Sequence, residues 1–226
     1  MKIPTDWTFN RADVARGFDA HVREQLPWYD LATGAVAHIA RHFIPDGGMV
    51  YDIGASTGNI GRSLAATIKA RRAEYVGIEA SPQMAKLYAG PGRVDVADAR
   101  SYKFEPFDVA VLFLVLMFVP LPDRKPLLGR LCAACKDGGA IIVVDKVHPP
   151  HGWLGTVYRR LTLAGKVATR TDARQIVEKE LSLSGVQRPI DEFVLPVKAQ
   201  EFFKFGEFAG WVIAVNSNSK YNKKVC

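Results

Sequence analysis

The strongest chemical signal in the chain is an acidic residue followed by two glycines four positions apart. Residues 50–61 read VYDIGASTGNIG, an apolar run that leads into a glycine-rich turn and a helix beginning near Asn59. Glycine lacks a Cβ and tolerates positive φ, so the backbone at Gly54 and Gly58 can approach a bound molecule closely. The spacing from Asp52 differs from G-x-G-x-x-G, and the turn lacks the Gly-Lys-Ser/Thr ending of a P-loop. Alone, this turn is equally consistent with a tight strand-to-helix connection.

Two further acidic residues stand at the ends of predicted strands. Glu79 follows the glycine turn by about 20 residues, where a carboxylate in doubly wound folds accepts the hydroxyls of a ribose. Asp98 closes a third predicted strand and is placed to bind an adenine amino group. Taken singly, Glu79 could be a solvated carboxylate, and Asp is common before turns. Together, in this order and spacing, the three features predict a nucleoside-binding site.

Strands and helices alternate through the middle of the chain, which predicts a doubly wound, mainly parallel α/β sheet of the Rossmann-like kind. The N-terminal region predicts at least two helices, interrupted at residues 26–29. After Asp145 the pattern changes to an irregular segment and two helices, and residues 199–215 predict an antiparallel hairpin that completes seven strands. The predicted strands are 49–53, 74–78, 93–96, 108–115 and 139–145, and the predicted helices are 59–70, 82–89, 123–136, 154–165 and 171–183.

Length and composition favour one domain over residues 1–226. A chain of 226 residues with 48% hydrophobic and 23% charged residues can bury a single large core. We expect an N-terminal helical cap over 1–45, a helical insertion after the fifth strand over 146–190, and a flexible tail over 216–226. No apolar run approaches the ~18 residues of a membrane span. The N-terminus has no secretory pattern, so we expect a cytoplasmic protein without a membrane partner.

Charge and metal-type residues give weaker signals. The net charge of +7 can attract nucleic acid or an anionic small molecule, but a solvated basic face explains it equally well. Cys132 and Cys135 share a face of a predicted helix and are expected to pack in the core, so no metal site is predicted. His148 and His151 flank two prolines where a general base could lie, although loop histidines are more often solvated.

The glycine turn, together with the two later carboxylates, resembles motif I and its partners in class I S-adenosylmethionine (SAM)-dependent methyltransferases. Other segments resemble the carboxy-S-adenosyl-L-methionine synthases, which convert SAM and prephenate into carboxy-SAM for tRNA wobble-uridine modification. The resemblance covers most of the chain. It implies the Rossmann-like class I methyltransferase fold, SAM or carboxy-SAM as cofactor, a prephenate-like substrate and a homodimer. The matching segments are 6–9, 26–29, 50–56, 81–84, 138–146, 173–175 and 205–209.

The resemblance also implies roles for particular residues. Tyr29 would close over the methionine end of SAM, and the backbone of the glycine turn would line it. Glu79 would hold the ribose, and Asp98 would face the adenine. Arg174 would pair with the extra carboxylate, for which a guanidinium offers a bidentate fork. The other candidate cofactor contacts are Asp52, Gly54, Ala55, Ser56, Gly58, Ala80, Ala99 and Leu112.

Three functions remain open from the sequence. The first is carboxy-SAM synthesis, and the second is direct methyl transfer to a small molecule, protein or nucleic acid. The third is a non-enzymatic subunit, which the intact ligand-binding pattern argues against. Leu112 and its neighbours stand where the carboxy-SAM synthases have an asparagine, so one polar contact is lost or moved. The fourth strand is not followed by an Asn-Pro-Pro-Tyr-type motif, which argues against adenine or glutamine N-methylation.

Overall fold

The computed structural model describes residues 3–5, 7–169, 171–191, 194–196 and 198–215. The tail expected over 216–226 lies outside these residues.

The centre of the molecule is a seven-stranded sheet in the order β3-β2-β1-β4-β5-β7-β6. Neighbouring strands from β3 to β5 run parallel, whereas β7 is antiparallel to both β5 and β6. The predicted α/β fold and the closing hairpin are therefore confirmed. The strands are β1 (Met49–Ile53), β2 (Glu74–Glu79), β3 (Arg93–Val96), β4 (Phe107–Phe113), β5 (Cys135–Lys146), β6 (Gln200–Phe205) and β7 (Phe208–Ala214).

Helices cover both faces of the sheet because the central strands are apolar on both sides. Val50 and Val111 pack with the helices over residues 29–40 and 59–70 on one face, whereas Ile53 and Leu112 pack with the helix over residues 121–134 on the other. This arrangement leaves the carboxyl ends of the parallel strands open at one edge, where ligands bind in doubly wound folds. The helices are α1 (Ala12–Gln25), α2 (Tyr29–Ala40), α3 (Asn59–Ala70), α4 (Pro82–Ala85), α5 (Leu121–Ala134), α6 (Trp153–Ala168) and α7 (Ala173–Ser182).

Some predicted boundaries were wrong. The helix predicted over 82–89 stops at Ala85, and the Ala89 amide instead donates to the Thr57 carbonyl at 3.0 Å. The fourth strand ends at Phe113 rather than at residue 115, because Leu114 adopts a φ of +61°. The helix predicted over 123–136 lies two residues earlier, with proline near its first turn, a position that suits a residue without an N–H.

The N-terminal segment and the helices after β5 pack together over the open edge of the sheet. The Trp7 amide donates to the Ser182 carbonyl at 3.0 Å, which ties the start of the chain to the end of α7. The Thr169 hydroxyl donates to the Glu24 carbonyl at 2.6 Å, which ties the end of α6 to α1. Among the described residues, no helix has the length and apolar character that crossing a membrane requires.

Candidate functional site

A cavity of about 470 Å³ lies at the carboxyl ends of β1, β2 and β4. The strand ends and the glycine turn form its floor, while α1, α6 and α7 contribute to its other walls. Most of the predicted cofactor contacts line it, namely Tyr29, Asp52, Gly54, Ala55, Ser56, Glu79, Ala80, Asp98 and Ala99. Gly58, Leu112 and Arg174 do not.

The two glycines of the turn are required for different reasons. Gly54 has a φ of +70°, and a Cβ there would lie 2.7 Å from Cγ2 of Val115. Gly58 has a φ of +90° at the start of α3, but a Cβ there would lie 2.6 Å from the Gly90 nitrogen. Gly58 is therefore needed for the backbone conformation and for packing against a neighbouring loop. Gly58 does not line the cavity, and the expectation that it lets the backbone approach a ligand stays a prediction.

Glu79 supports the glycine turn and still faces the cavity. Its two carboxylate oxygens accept the amides of Ser56 and Ser81, at 2.8 and 2.7 Å. Burial raises the pKa of the Glu79 carboxyl, while these amides lower it. A carboxylate has about four lone-pair sites, so acceptor capacity remains for the hydroxyls of a ribose. The site thus offers the acceptor that a nucleoside requires at this strand end.

Asp52 is buried beneath the glycine turn. It is 2% exposed, and its Oδ2 accepts the Tyr75 hydroxyl at 2.8 Å. Burial raises the pKa of Asp52 to about 7, the Tyr75 hydrogen bond lowers it, and the nearby Glu79 raises it further. A cationic ligand beside Asp52 would favour its charged form.

Asp98 and Ala99 lie at the opposite side of the cavity, after β3. The Asp98 carboxylate accepts the Arg100 guanidinium at 2.6 Å and the Arg100 amide at 2.8 Å. The guanidinium, as the main cause, lowers the pKa of Asp98 and keeps it ionised. The side chain is 41% exposed, so it can accept a further hydrogen bond from a ligand.

The residues that follow Leu112, and not Leu112 itself, line the cavity. Leu112 is fully buried in β4 between Ile53 and Val143, and it packs against the helix on the far face of the sheet. The cavity is lined instead by Phe113, Leu114 and Val115, where the strand ends and the chain turns. Leu112 therefore does not line this cavity, and its role as a cofactor contact stays a prediction.

Tyr29 begins α2 and closes one wall of the cavity. Its ring packs edge-on against Phe113 with centroids 5.3 Å apart, and the Arg23 guanidinium lies 5.3 Å from its centroid. Burial raises the pKa of the Tyr29 hydroxyl, which therefore stays protonated. Tyr29 therefore lines the cavity, and its role over a ligand stays a prediction.

Arg174 lies on the outer surface of α7. Its side chain is 85% exposed, and its Nε donates to Glu178 at 2.8 Å, one helical turn away. Asp172 caps α7 by accepting the amides of Arg174 and Gln175, which fixes this orientation of the helix. Within this chain, Arg174 is not brought to the cavity.

Two buried charged residues shape the cavity indirectly. Asp145 accepts the amides of Val115, Leu116 and Met117 at 2.7–3.3 Å, and it thereby holds the turn after β4. The next residue, Lys146, donates its backbone amide to Asp145 at 2.8 Å and its side-chain amino group to Gln187 at 3.1 Å. Burial raises the pKa of the Asp145 carboxyl, whereas the hydrogen bonds from these backbone amides lower it.

Arg124 was not identified from the sequence. It is 1% exposed and donates to the carbonyls of Val119, Arg188 and Pro189 at 2.7–3.1 Å. It therefore ties α5 to the segment that follows α7. Its only sequence signal was an arginine on the apolar face of a predicted helix.

The histidines expected near the end of β5 are exposed and do not line the cavity. The histidine that does line it is His21 of α1, which is 3% exposed and stacked beside Trp7. Nothing in the local sequence distinguished His21 from an ordinary helix residue.

The cavity suits the parts of SAM. Backbone of a strained glycine turn can wrap the amino-acid end, Glu79 can accept ribose hydroxyls, and Asp98 can accept an adenine amino group.

Comparisons with known proteins agree with this interpretation. Residues 51–141 match a family described as "Methyltransferase domain". The carboxy-S-adenosyl-L-methionine synthase of Staphylococcus epidermidis is 27% identical over 192 residues, covering 83% of this chain and 84% of that protein. The protein of the same name from Pseudomonas putida is 27% identical over 197 residues, covering 81% and 79%.

Solved structures share the fold. The plantazolicin methyltransferase BpumL in complex with SAH has a TM-score of 0.59 at 13% identity, covering 89% of both chains. A TehB-like SAM-dependent methyltransferase from Corynebacterium glutamicum has a TM-score of 0.53 at 16% identity, covering 90% of this chain and 99% of that chain.

The sheet order, the matched domain and these relatives define the class. The protein is a SAM-dependent transferase with the class I methyltransferase fold, and SAM is its cofactor. Within this class it is similar to carboxy-SAM synthases over about four fifths of its length.

Proposed function

We propose that the protein makes carboxy-SAM from SAM and prephenate. The observation that carries this proposal is the similarity to carboxy-SAM synthases, at 27% identity over more than 80% of the chain. The shape of the cavity supports this proposal. The cavity extends from the strand ends, where the nucleoside would bind, to α1, α6 and α7, where a second substrate would have walls of its own.

In the proposed reaction, the methyl carbon next to the sulfonium loses a proton and forms a bond to the CO₂ that prephenate releases. Loss of CO₂ and of the ring hydroxyl makes the prephenate ring aromatic and leaves phenylpyruvate. The proton and the hydroxyl together form water, so the atoms balance. The protein's contribution is to hold both molecules in contact and to stabilise the developing charge.

We assign the SAM contacts to the residues that line the cavity. The backbone of Gly54, Ala55 and Ser56 would face the methionine end, with Tyr29 closing over it and Asp52 beneath. Glu79 and Ala80 would lie at the ribose, and Asp98 and Ala99 at the adenine. This assignment is supported by their position around one cavity.

Arg174 remains the sequence-based candidate for holding the new carboxylate. Because it lies outside the cavity of this chain, the role requires a second copy of the chain or a movement of α7. The substitution Arg174→Ala tests it. Lost carboxy-SAM formation with SAM binding retained would support the role, and unchanged activity would exclude it.

The direct test of the function is turnover with purified protein, SAM and prephenate, followed by mass spectrometry. Carboxy-SAM that forms only when prephenate is present is the expected product. Prephenate that remains unconsumed, with SAM unchanged, would overturn the proposal.

Methyl transfer from SAM is the second candidate. Two observations favour it. Residues 111–114, near the end of the fourth strand, read VLFL and contain no asparagine, and Arg174 lies outside the cavity. It requires mainly an acceptor held in line with the methyl group. Formation of S-adenosylhomocysteine with a small-molecule or nucleic-acid acceptor, and no carboxy-SAM with prephenate, would establish it.

We further propose that the protein acts in the cytoplasm in tRNA modification and assembles as a homodimer. The dimer is supported by apolar residues that α6 and α7 leave exposed, including Leu154, Val157, Leu161, Val177 and Leu181.

The role in tRNA modification is tested by deleting the gene for this protein. The deletion strain should lack the carboxylated wobble uridine, and expression of this chain should restore it. A strain with unaltered tRNA would exclude it.

A further inference from the structure

The cavity carries opposite charges at its two ends. Carboxylates line the end at the strands, whereas Lys146, Lys166 and Lys179 line the end formed by β5, α6 and α7. Glu180 is the carboxylate beside these lysines. It accepts Lys166 at 2.7 Å and lies 3.9 Å from Lys146. Glu180 is thus the one carboxylate beside three lysine side chains, and two of them, Lys146 and Lys166, already contact it.

Lys179 is the third of these groups. It is 9% exposed, and its ammonium lies over the Trp7 indole ring. Among the residues that the structure describes, it forms no ion pair with a carboxylate. Burial, and secondarily Lys166, lowers the pKa of Lys179 to about 6. Long buried lysines are usually paired, so an unpaired one facing a cavity is a notable exception.

Several neighbouring polar atoms also lack partners. Within the described part of the chain, the buried atoms without a hydrogen bond are Nε1 of Trp7, both ring nitrogens of His21, both amide atoms of Gln25 and Oγ1 of Thr162. All four residues line the cavity, and none is more than 7% exposed. Each buried, unpaired polar group costs about 1–3 kcal/mol, so a cluster of them in one place indicates a missing partner.

The remaining walls at this end are apolar. Phe9, Phe18 and Leu183 line the cavity near Trp7 and Lys179, and Phe9 packs edge-on against Phe18. An occupant of this end therefore needs an apolar or aromatic body and a polar group that accepts hydrogen bonds from an ammonium, an amide and an imidazole. A carboxylate meets the polar requirement, because it only accepts and prefers cationic donors.

We propose that Lys179, Gln25 and His21 form a subsite for the carboxylate of an aromatic or similarly apolar substrate. This inference rests on the proposed function, because it places the second substrate of a SAM-dependent transfer in the same cavity. It assigns the anion-binding role to the inner face of α7, whereas Arg174 lies on its outer face.

Calorimetric titration of the SAH-saturated protein with phenylpyruvate tests the subsite. Lys179→Met removes the amino group and keeps an unbranched apolar side chain of nearly the same length. It should weaken phenylpyruvate binding by about 10- to 100-fold, the worth of a charge-assisted hydrogen bond. The matched control is Lys69→Met, an exposed lysine at the far end of α3, which should bind like the wild type. The neutral methyl ester of phenylpyruvate should bind weakly to all three proteins.

A pH series separates binding from a merely structural role. The free Lys179 amine must take up a proton when it binds the anion, so wild-type affinity should fall by up to about tenfold per pH unit above pH 6. The other titratable groups facing this end are His21, Lys146, Lys166 and Glu180, and they remain in Lys179→Met. The variant should therefore lose most of the dependence.

Three outcomes would overturn the inference, namely equal binding of acid and ester, wild-type affinity in Lys179→Met, and a pH profile that the variant leaves unchanged. If Lys179→Met does not fold, Gln25→Leu provides a second test with the same expected loss. Failure to bind SAH would instead contradict the proposed function, so the two failures can be told apart.

Discussion

At the scale of single residues, the proposed SAM site depends most on two carboxylates at the ends of neighbouring strands. Glu79 and Asp52 both lie beneath the glycine turn, but they differ in what surrounds them. Glu79 is held by two backbone amides, whereas Asp52 has one tyrosine hydroxyl. This difference predicts that Glu79 orients the ligand and that Asp52 responds to its charge.

Glu79→Gln should weaken SAM binding by about 10- to 100-fold, because the amide cannot accept both backbone N–H groups and two ribose hydroxyls. The matched control is Glu74→Gln at the exposed start of the same strand, which should bind SAM like the wild type. Calorimetric titration with SAM measures both. Wild-type affinity in Glu79→Gln would contradict the ribose assignment.

Asp52 predicts a pH dependence of SAM binding. Its pKa of about 7 in the free protein means that binding a cation must ionise it, so SAM affinity should rise between pH 6 and pH 8. Asp52→Asn should bind SAM more weakly and with little dependence on pH. A variant that retains the wild-type pH profile would exclude Asp52 as the responding group.

Asp52→Asn should weaken SAM binding but increase the stability of the free protein at neutral pH. The pKa of Asp52 is higher in the folded state than in the unfolded state. Its contribution to the free energy of unfolding therefore falls as pH rises from about 4 to 7 and is lowest above pH 7. Between pH 5 and pH 8, Asp52→Asn should therefore gain about 2–3 kcal/mol in the free energy of unfolding relative to the wild type. Urea denaturation at the two pH values measures the gain, and no gain at pH 8 would contradict the burial argument.

At the scale of elements, the site depends on contacts between segments that are distant in the chain. Asp145 fixes the turn after β4, and Arg124 joins α5 to residues 188 and 189. Both are buried charges whose partners are backbone atoms. Removing either leaves unpaired backbone groups in the core.

Arg124→Met should lower the free energy of unfolding by about 2–4 kcal/mol, because several buried carbonyls lose their donor. Arg16→Met, at an exposed position of α1, serves as the control and should change stability little. Urea denaturation measures both variants. Stability equal to the wild type in Arg124→Met would show that these carbonyls find other donors.

The elements that the sequence predicts well are those whose signals are local. The strand over 49–53 and the helix over 59–70 have their predicted bounds, because an apolar run, a glycine turn and a helical pattern follow directly on one another. The end of β4 was not predictable from local sequence. The chain turns at Leu114, and the amide of the next residue, Val115, donates to Asp145, which lies 30 residues further along the chain. The same limit applies to the cavity. Residues near the glycine turn were expected to line it, whereas His21, Gln25 and Lys179, which also line it, were not singled out.

At the scale of the whole molecule, the exposed side of α6 and α7 is the surface on which the dimer proposal depends. Leu181 is 69% exposed and Val177 is 58% exposed, one turn apart on α7. Leu181→Glu should convert a dimer to a monomer in light scattering coupled to gel filtration. Leu31→Glu on α2, at an equally exposed leucine, should leave the mass unchanged. A wild-type protein that is monomeric would contradict the proposal.

Carboxy-SAM synthesis is tested most sharply by the mass of the compound that the protein retains. The protein is incubated with SAM and prephenate, freed of unbound molecules by gel filtration and denatured, and the mass of the released compound is measured by mass spectrometry. We expect carboxy-SAM, which is heavier than SAM by one CO₂ unit. Release of SAM or S-adenosylhomocysteine alone would contradict it and would leave an ordinary methyltransferase.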